Sequence, residues 1–215
     1  MRYRLVIFDL DGTILDTVHQ LAVSLNEALK RSGFDPVEED LIRSRIGNGS
    51  LNLVLRSIEG LEGADPDIIR KDYRNYYNEH CTENTEEYEG MSELMARLKD
   101  NGIKIAVVTN KSEPAAVRLC DTKFSGLIDV VKGHRDGIAH KPDPCLVNEV
   151  LAELDEVRDD AVFVGDSEVD IATASNAGMD CISVTWGYKS REHLLANGAS
   201  VLVDDIMELE DRILV

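Results

Sequence analysis

Cysteine is sparse in this sequence, and none of it is spaced for chemistry. Cys81, Cys120, Cys145 and Cys181 lie far apart with no Cys-x-x-Cys pair. Each reads as a small buried hydrophobe in a reducing compartment, not as a metal ligand or half of a bridge. No apolar run approaches the ~20 residues of a membrane span. The N-terminus enters an apolar strand without a signal region or small-residue cleavage site, so a cytoplasmic location is expected. No Gly-x-Gly-x-x-Gly follows an apolar run, which removes support for dinucleotide binding. Internal repeats, low-complexity tracts and long linkers are also lacking. Basic residues are the scarcer charge: 23 Lys and Arg face 41 Asp and Glu, a formal net charge of −18. A surface this acidic repels nucleic acid and anionic membranes. Any anionic substrate therefore needs a local cation, either a metal ion or a few placed Lys and Arg.

What is present suits a globular enzyme-sized chain. The 215 residues, 43% hydrophobic and 30% charged, fit one large domain or one domain with a smaller insertion. Residues 5–8 read as a strand buried on both faces. From 16 to 87 the pattern is helical, with no convincing strand. Leu21, Leu25, Ala28 and Leu29 mark one helix face, ended by Gly33. A short helix follows over 38–45, then a third helix capped by Ser50. Asp65-Pro66 opens a long helix whose Tyr73, Tyr76 and Tyr77 read as packing residues and not as a recognition surface. Beyond 88–91 helices and strands alternate. Helices are expected over 92–101, 114–119, from Pro144 onward and over 169–177; strands are expected over 103–108, 127–131, 161–164, 181–184 and 201–203. Alternation of this kind predicts an α/β core around a parallel sheet. The helical stretch interrupts that sheet after its first strand, leaving after Asp16 and returning near Tyr88.

Chemistry gathers at strand ends. Asp9 and Asp11 follow the first strand, with Gly12 allowing a sharp turn. Thr109-Asn110 follows a second strand, and Asp166 and Asp170 follow a third. Lys141 stands just before a helix. In a parallel sheet the carboxyl ends of strands converge on one edge, where ligands bind. Carboxylates that close repel one another unless a cation or protons intervene. An all-oxygen set with room for water suits Mg²⁺. With a lysine, a hydroxyl and turn amides it becomes a phosphate site. One carboxylate can then attack phosphorus, while another moves protons.

The segments Phe8-Asp-Leu-Asp-Gly-Thr-Ile14, Val108-Thr-Asn110, Lys141-Pro142 and Gly165-Asp-Ser-Glu-Val-Asp170 resemble, in order, the four motifs of the haloacid dehalogenase superfamily. The resemblance implies a Rossmann-like core of residues 1–15 and 86–215, with a helical cap domain over 16–85. It implies a Mg²⁺-dependent phosphotransferase. Asp9 is then the nucleophile. Asp11 is the general acid/base and also offers its carbonyl to the metal. Asp166 becomes a metal ligand, and Asp170 a ligand or a partner to one. Thr109 and Asn110 hold the phosphoryl group, and Lys141 neutralises charge. The carboxylate at Asp11 points to phosphate chemistry within the superfamily, since dehalogenases lack one there.

The cap segment Arg45-Ile-Gly-Asn-Gly49 resembles a loop of phosphoglycolate phosphatases, and Tyr88-Glu-Gly-Met91 their return segment, with Glu89 in place of proline. Arg45, Gly47 and Asn48 are thus candidate substrate residues. Among the remaining residues, Asp16 and Ser167 read as helix caps, His19 as a surface residue and Trp186 as a core aromatic. Glu168 is placed to orient Lys141 or water. The expected reaction is hydrolysis of small phosphorylated metabolites by a monomer or dimer. A sugar phosphomutase, a pyrophosphatase, a nucleotidase and a non-catalytic phospho-acceptor module remain open alternatives.

Overall fold

A computed structural model of the chain describes residues 2–47 and 49–215. Its centre is a six-stranded parallel sheet in the order β5-β4-β1-β6-β7-β8. These strands are β1 (Leu5–Phe8), β4 (Lys104–Ser112), β5 (Val130–His134), β6 (Ala161–Gly165), β7 (Asp180–Val184) and β8 (Leu202–Val203). β1 pairs with β4 on one side and β6 on the other, Phe8 lying opposite both Val107 and Val164. Helices cover both faces, which is why the inner strands are apolar without alternation. Leu5, Ile7, Ala106, Val108 and Phe163 pack towards α7 (Cys145–Leu154) and α8 (Glu168–Ala177). Val6, Phe8, Ile105, Val107, Val162 and Val164 face the other way, into a larger core with α5 (Met91–Asp100) and α6 (Glu113–Lys123).

Between β2 (Leu15–Asp16) and β3 (Glu86–Glu87) run four helices: α1 (Val18–Arg31), α2 (Glu39–Arg45), α3 (Gly49–Ser57) and α4 (Pro66–His80). The two short strands pair antiparallel and tie the start of this insert to its end. They are too short to give a periodic signal, so the sequence reads there as helix alone. α4 begins as expected: Asp65 accepts hydrogen bonds from the amides of Asp67 and Ile68, with Pro66 behind it. Tyr73 and Tyr77 are buried.

Three expectations shift. Ser50 lies inside α3, which begins at Gly49, so it does not cap that helix. β4 runs on through Thr109 and Asn110 to Ser112, with an irregular register against β5 after Val108. The expected strand over 127–131 forms instead as β5, three residues later, because Asp129 takes the amide of Ile105 in its carboxylate and the ladder starts behind it. Two short C-terminal helices, α9 (Arg191–Ala196) and α10 (Ile206–Leu214), lie beyond the predicted elements. α10 buries only Leu209 and Ile213, one turn apart, against a largely charged sequence.

Candidate active site at the strand ends

β1 and β6 set the first carboxylates side by side. Asp9 continues β1 by donating its amide to the carbonyl of Val164 at 2.9 Å. Asp166 and Ser167 leave the end of β6, and α8 starts at Glu168. Ser167 caps that helix: its Oγ donates to Asp170 Oδ2 at 2.6 Å, and its amide reaches the same oxygen at 3.1 Å. The capping pair is also part of the site. Asp170 Oδ1 accepts from Lys141 Nζ at 2.7 Å, and the same ammonium lies 2.8 Å from Asp9 Oδ1. Oxygens of Asp9, Asp166 and Asp170 lie within 4.8 Å of one another.

Two glycines make this crowding possible. A Cβ on Gly165 would meet the Asp170 carboxyl carbon at 2.4 Å, and one on Gly187 would meet Asp166 Cβ at 2.3 Å. Gly187 belongs to the loop after β7, which also carries Tyr188; the Tyr188 amide donates to Asp166 Oδ2 at 2.6 Å. Trp186, partly buried beside it, donates Nε1 to the carbonyl of Thr13.

Burial and mutual repulsion dominate the electrostatics. Burial pushes the Asp9 carboxyl up to about 7, with Lys141 pulling down and Asp170 and Asp11 pushing up. Burial likewise holds Asp166 well above the usual carboxylate range, with Asp170 and Asp9 adding to it. Burial opposes the Lys141 charge, but Asp170 and Asp9 outweigh it and raise its pKa. Asp9 Oδ1 is buried, with the Lys141 ammonium 2.8 Å away. Three buried, clustered carboxylates balanced by one lysine, with no nitrogen or sulfur donor in the cluster, fit a hard divalent cation such as Mg²⁺.

Asp11 points elsewhere. Its Oδ1 accepts from Thr17 Oγ1 at 2.5 Å and pairs with Lys111 Nζ at 2.9 Å. Lys111 also donates to Tyr77 OH on α4 at 2.8 Å. Tyr188 OH takes the amide of Thr17 at 2.9 Å. The Asn110 side chain is fully engaged: it accepts from the Lys141 amide and donates to the carbonyls of Lys141 and Gly47. The side chain therefore braces Lys141, and Asn110, expected from the sequence to hold phosphate, also lines the cavity over the site. Thr109 Oγ1 accepts from the Lys111 amide at 3.2 Å, which leaves its hydroxyl proton for a ligand.

A cavity of about 420 Å³ opens over these groups, roofed by α3 and α4. Asp9, Asp11, Thr109, Asn110, Lys141 and Asp166 line it. Gly47 does too, whereas Arg45 is not among the lining residues, and Asn48 lies outside the described residues. In place of Arg45, Arg70 and Arg74 on α4 face the cavity. Glu168 pairs with His193, away from Lys141. His19 is on the surface with Glu39. Asp16 accepts from the amide of Val18 at the start of α1. Lys111, Thr17 and Tyr188 were missed by the motif reading. Lys111 directly follows Thr109-Asn110, so its position gave a signal; Tyr188 gave none, since nothing local ties it to Asp166.

A parallel sheet that gathers acids, a lysine and a hydroxyl at its carboxyl edge, under a helical roof, defines a Rossmann-like enzyme centre suited to an anionic group. The chain belongs to the haloacid dehalogenase-like hydrolase family, whose model matches residues 6–184. A phosphoglycolate phosphatase from Pseudomonas putida is 32% identical over 213 residues, 96% of this chain and 78% of that protein. An N-acetylmuramic acid 6-phosphate phosphatase from Pseudomonas aeruginosa is 32% identical over 219 residues, 98% of this chain and 95% of that protein. A provisionally assigned phosphoglycolate phosphatase from Lactobacillus delbrueckii subsp. bulgaricus superposes with a TM-score of 0.93 at 34% identity, covering 99% of each chain.

Proposed function

We propose that the protein is a Mg²⁺-dependent phosphatase of small phosphorylated metabolites, most like phosphoglycolate phosphatase, working through an aspartyl phosphate on Asp9. The observation that carries this reading is the buried Asp9–Asp166–Asp170 cluster at the strand ends, with Lys141 as the one ammonium among the three carboxylates. Asp9, Asp166 and Asp170 would hold the metal, with the Asp11 carbonyl. Bound Mg²⁺ supplies charge neutralisation for the carboxylates and the phosphoryl oxygens. The residues of the chain do the rest. Lys141 and the Thr109 hydroxyl hold the phosphoryl group against Asp9, and Asn110 fixes the Lys141 backbone. Asp9 attacks phosphorus in line as the ester oxygen departs, and Asp11 gives that oxygen its proton. Asp11 then takes a proton from the water that hydrolyses the acyl phosphate, which returns Asp9.

In this reading 1–15 with 86–215 is the catalytic core and 16–85 a cap that closes over substrate and excludes bulk water. The supporting features are the short β2–β3 stem and the cavity between α3, α4 and the strand ends. The test is release of inorganic phosphate from p-nitrophenyl phosphate with Mg²⁺ by the wild type and by Asp9→Asn. The variant should lose at least about a thousandfold in kcat, the scale of losing a covalent nucleophile. Retention of a tenth of the wild-type rate would refute Asp9 as nucleophile.

A further inference from the structure

The face of α4 that roofs the cavity carries two arginines that the four-carboxylate site leaves unused. Arg70, Tyr73, Arg74 and Tyr77 recur at helical spacing and all line the cavity. Tyr73 and Tyr77 are buried, and Lys111 Nζ donates to Tyr77 OH at 2.8 Å, which ties that face to the site. Arg70 makes one long hydrogen bond, 3.5 Å to Ser50 Oγ. Among the described residues no carboxylate pairs with Arg70 or Arg74. Of the other cations of the wall, three are neutralised, Lys111 by Asp11, Lys141 by Asp9 and Asp170, and Arg135 by Glu113 and Glu149, while Lys189 donates to the carbonyl of Ser44. Two guanidinium groups without a carboxylate partner among the described residues, Arg70 half-buried on the wall of this cavity and Arg74 exposed at its mouth, suit an anionic ligand in a chain of net charge −18.

Their place says which part of the ligand. Arg70 reaches Ser50, and a Cβ on the neighbouring Gly49 would meet the His140 ring at 3.1 Å, so Arg70 lies on the His140 side of the cavity. His134 ends β5, and its ring stacks on His140 at 3.7 Å. β5 is two strands from β1, with β4 between. At ~4.8 Å per strand the end of β5, with its stacked histidines, lies about 10 Å to the side of Asp9, and Arg70 is on that side. That is beyond the reach of the phosphoryl group that Asp9 attacks, yet inside the same 420 Å³ cavity.

We propose that Arg70 and Arg74 are the specificity-determining pair, binding a second anionic group, carboxylate or phosphate, at the end of the substrate remote from the scissile phosphate. This rests on the phosphatase reading above. The favoured substrates are then phosphate monoesters with two separated anionic ends, and singly anionic esters are poor ligands. The stacked histidines form the wall between the two ends.

Calorimetric binding to the Asp9→Asn protein with Mg²⁺ tests the pair without turnover. Two ligand pairs separate the two sources of charge: 2-phosphoglycolate against ethyl phosphate for a carboxylate, and glucose 1,6-bisphosphate against glucose 6-phosphate for a second phosphate. In at least one pair the doubly anionic ligand should bind about 10- to 100-fold more tightly, the scale of charge-assisted hydrogen bonds. Adding Arg70→Gln and Arg74→Gln should cut that advantage below threefold and leave the singly anionic partner within threefold. Arg74→Gln alone, confirmed folded by its melting temperature, should remove part of it. No advantage in either pair, or an equal loss for both members, overturns the proposal. Wild-type turnover of p-nitrophenyl phosphate is measured separately. An inactive wild type with the binding selectivity intact would overturn the phosphatase reading and support the anion pair.

Discussion

Lys141 is the residue on which the unliganded site depends. It is buried, and its single ammonium separates two buried carboxylates, Asp9 and Asp170. Removing one partner of a buried ion pair leaves an uncompensated charge and costs about 3–5 kcal/mol. Lys141→Met should therefore lower unfolding stability by about that much in chelator at pH 8, measured by urea titration. The loss should shrink at pH 5, where the freed carboxyls take up protons. A loss under about 1 kcal/mol at pH 8 would show that the ammonium is not what balances the cluster. At this scale the sequence was informative wherever chemistry sits next to a strand end. Asp9, Thr109, Lys141, Asp166 and Asp170 were legible because β-α alternation fixes which edge they share. Arg70, Arg74 and Tyr188 were not, since they reach the site only through the packing of α4 and the β7 loop, which no local pattern encodes. Arg45 is expected at the site from a loop resemblance alone; it does not line this cavity, whereas Arg70 and Arg74 of α4 do.

Among the elements, α8 shows how a helix terminus can be structural and functional at once. Its capping box joins Ser167 to Asp170, and Asp170 is also the partner of Lys141. The usual cost of deleting an N-cap hydroxyl is about 1 kcal/mol. Ser167→Ala should cost about that in thermal or urea unfolding. It should also weaken Mg²⁺ affinity, because Asp170 Oδ2 loses the shorter of its two restraints and keeps only the residue-167 amide, while Lys141 still holds the other oxygen. Loss of stability with unchanged Mg²⁺ affinity, read by metal titration, would make Ser167 a cap and nothing more. The helices of the insert were legible from their apolar spacing and from Asp65-Pro66. The β2–β3 stem was not, because two-residue strands have no period. α10 was overlooked because two buried residues in a charged stretch make too weak a stripe. The tyrosines of α4 were read as packing, which holds for their burial; the same face also lines the cavity, so packing and recognition are not alternatives there.

For the molecule as a whole, the acid cluster ties stability to pH and metal together. The Asp9 carboxyl is pushed up to about 7 and Asp166 is raised well above its ordinary range, burial being the main cause for both. An unfolded Asp titrates near 3.9. Between about pH 4 and pH 7 the folded protein thus holds protons that the unfolded chain has released. Stability falls with rising pH wherever the folded state binds more protons, so the metal-free protein should become less stable across that window. A divalent cation competes with those protons, so Mg²⁺ should stabilise strongly at pH 8 and little at pH 5. The measurement is melting temperature in chelator and in Mg²⁺ from pH 5 to pH 8, for the wild type and for Asp166→Asn. The substitution removes one buried titrating group and one metal donor. It should flatten the fall of stability in chelator relative to the wild type and shrink the Mg²⁺ shift at pH 8. Parallel pH curves for the two proteins in chelator, or a Mg²⁺ shift of the same size at pH 5 and pH 8, would rule out this cluster as the source of the coupling. The net charge of −18 adds a general repulsion that grows with pH in both proteins and is screened by salt. Only the difference between the two curves, taken at fixed ionic strength, belongs to the site.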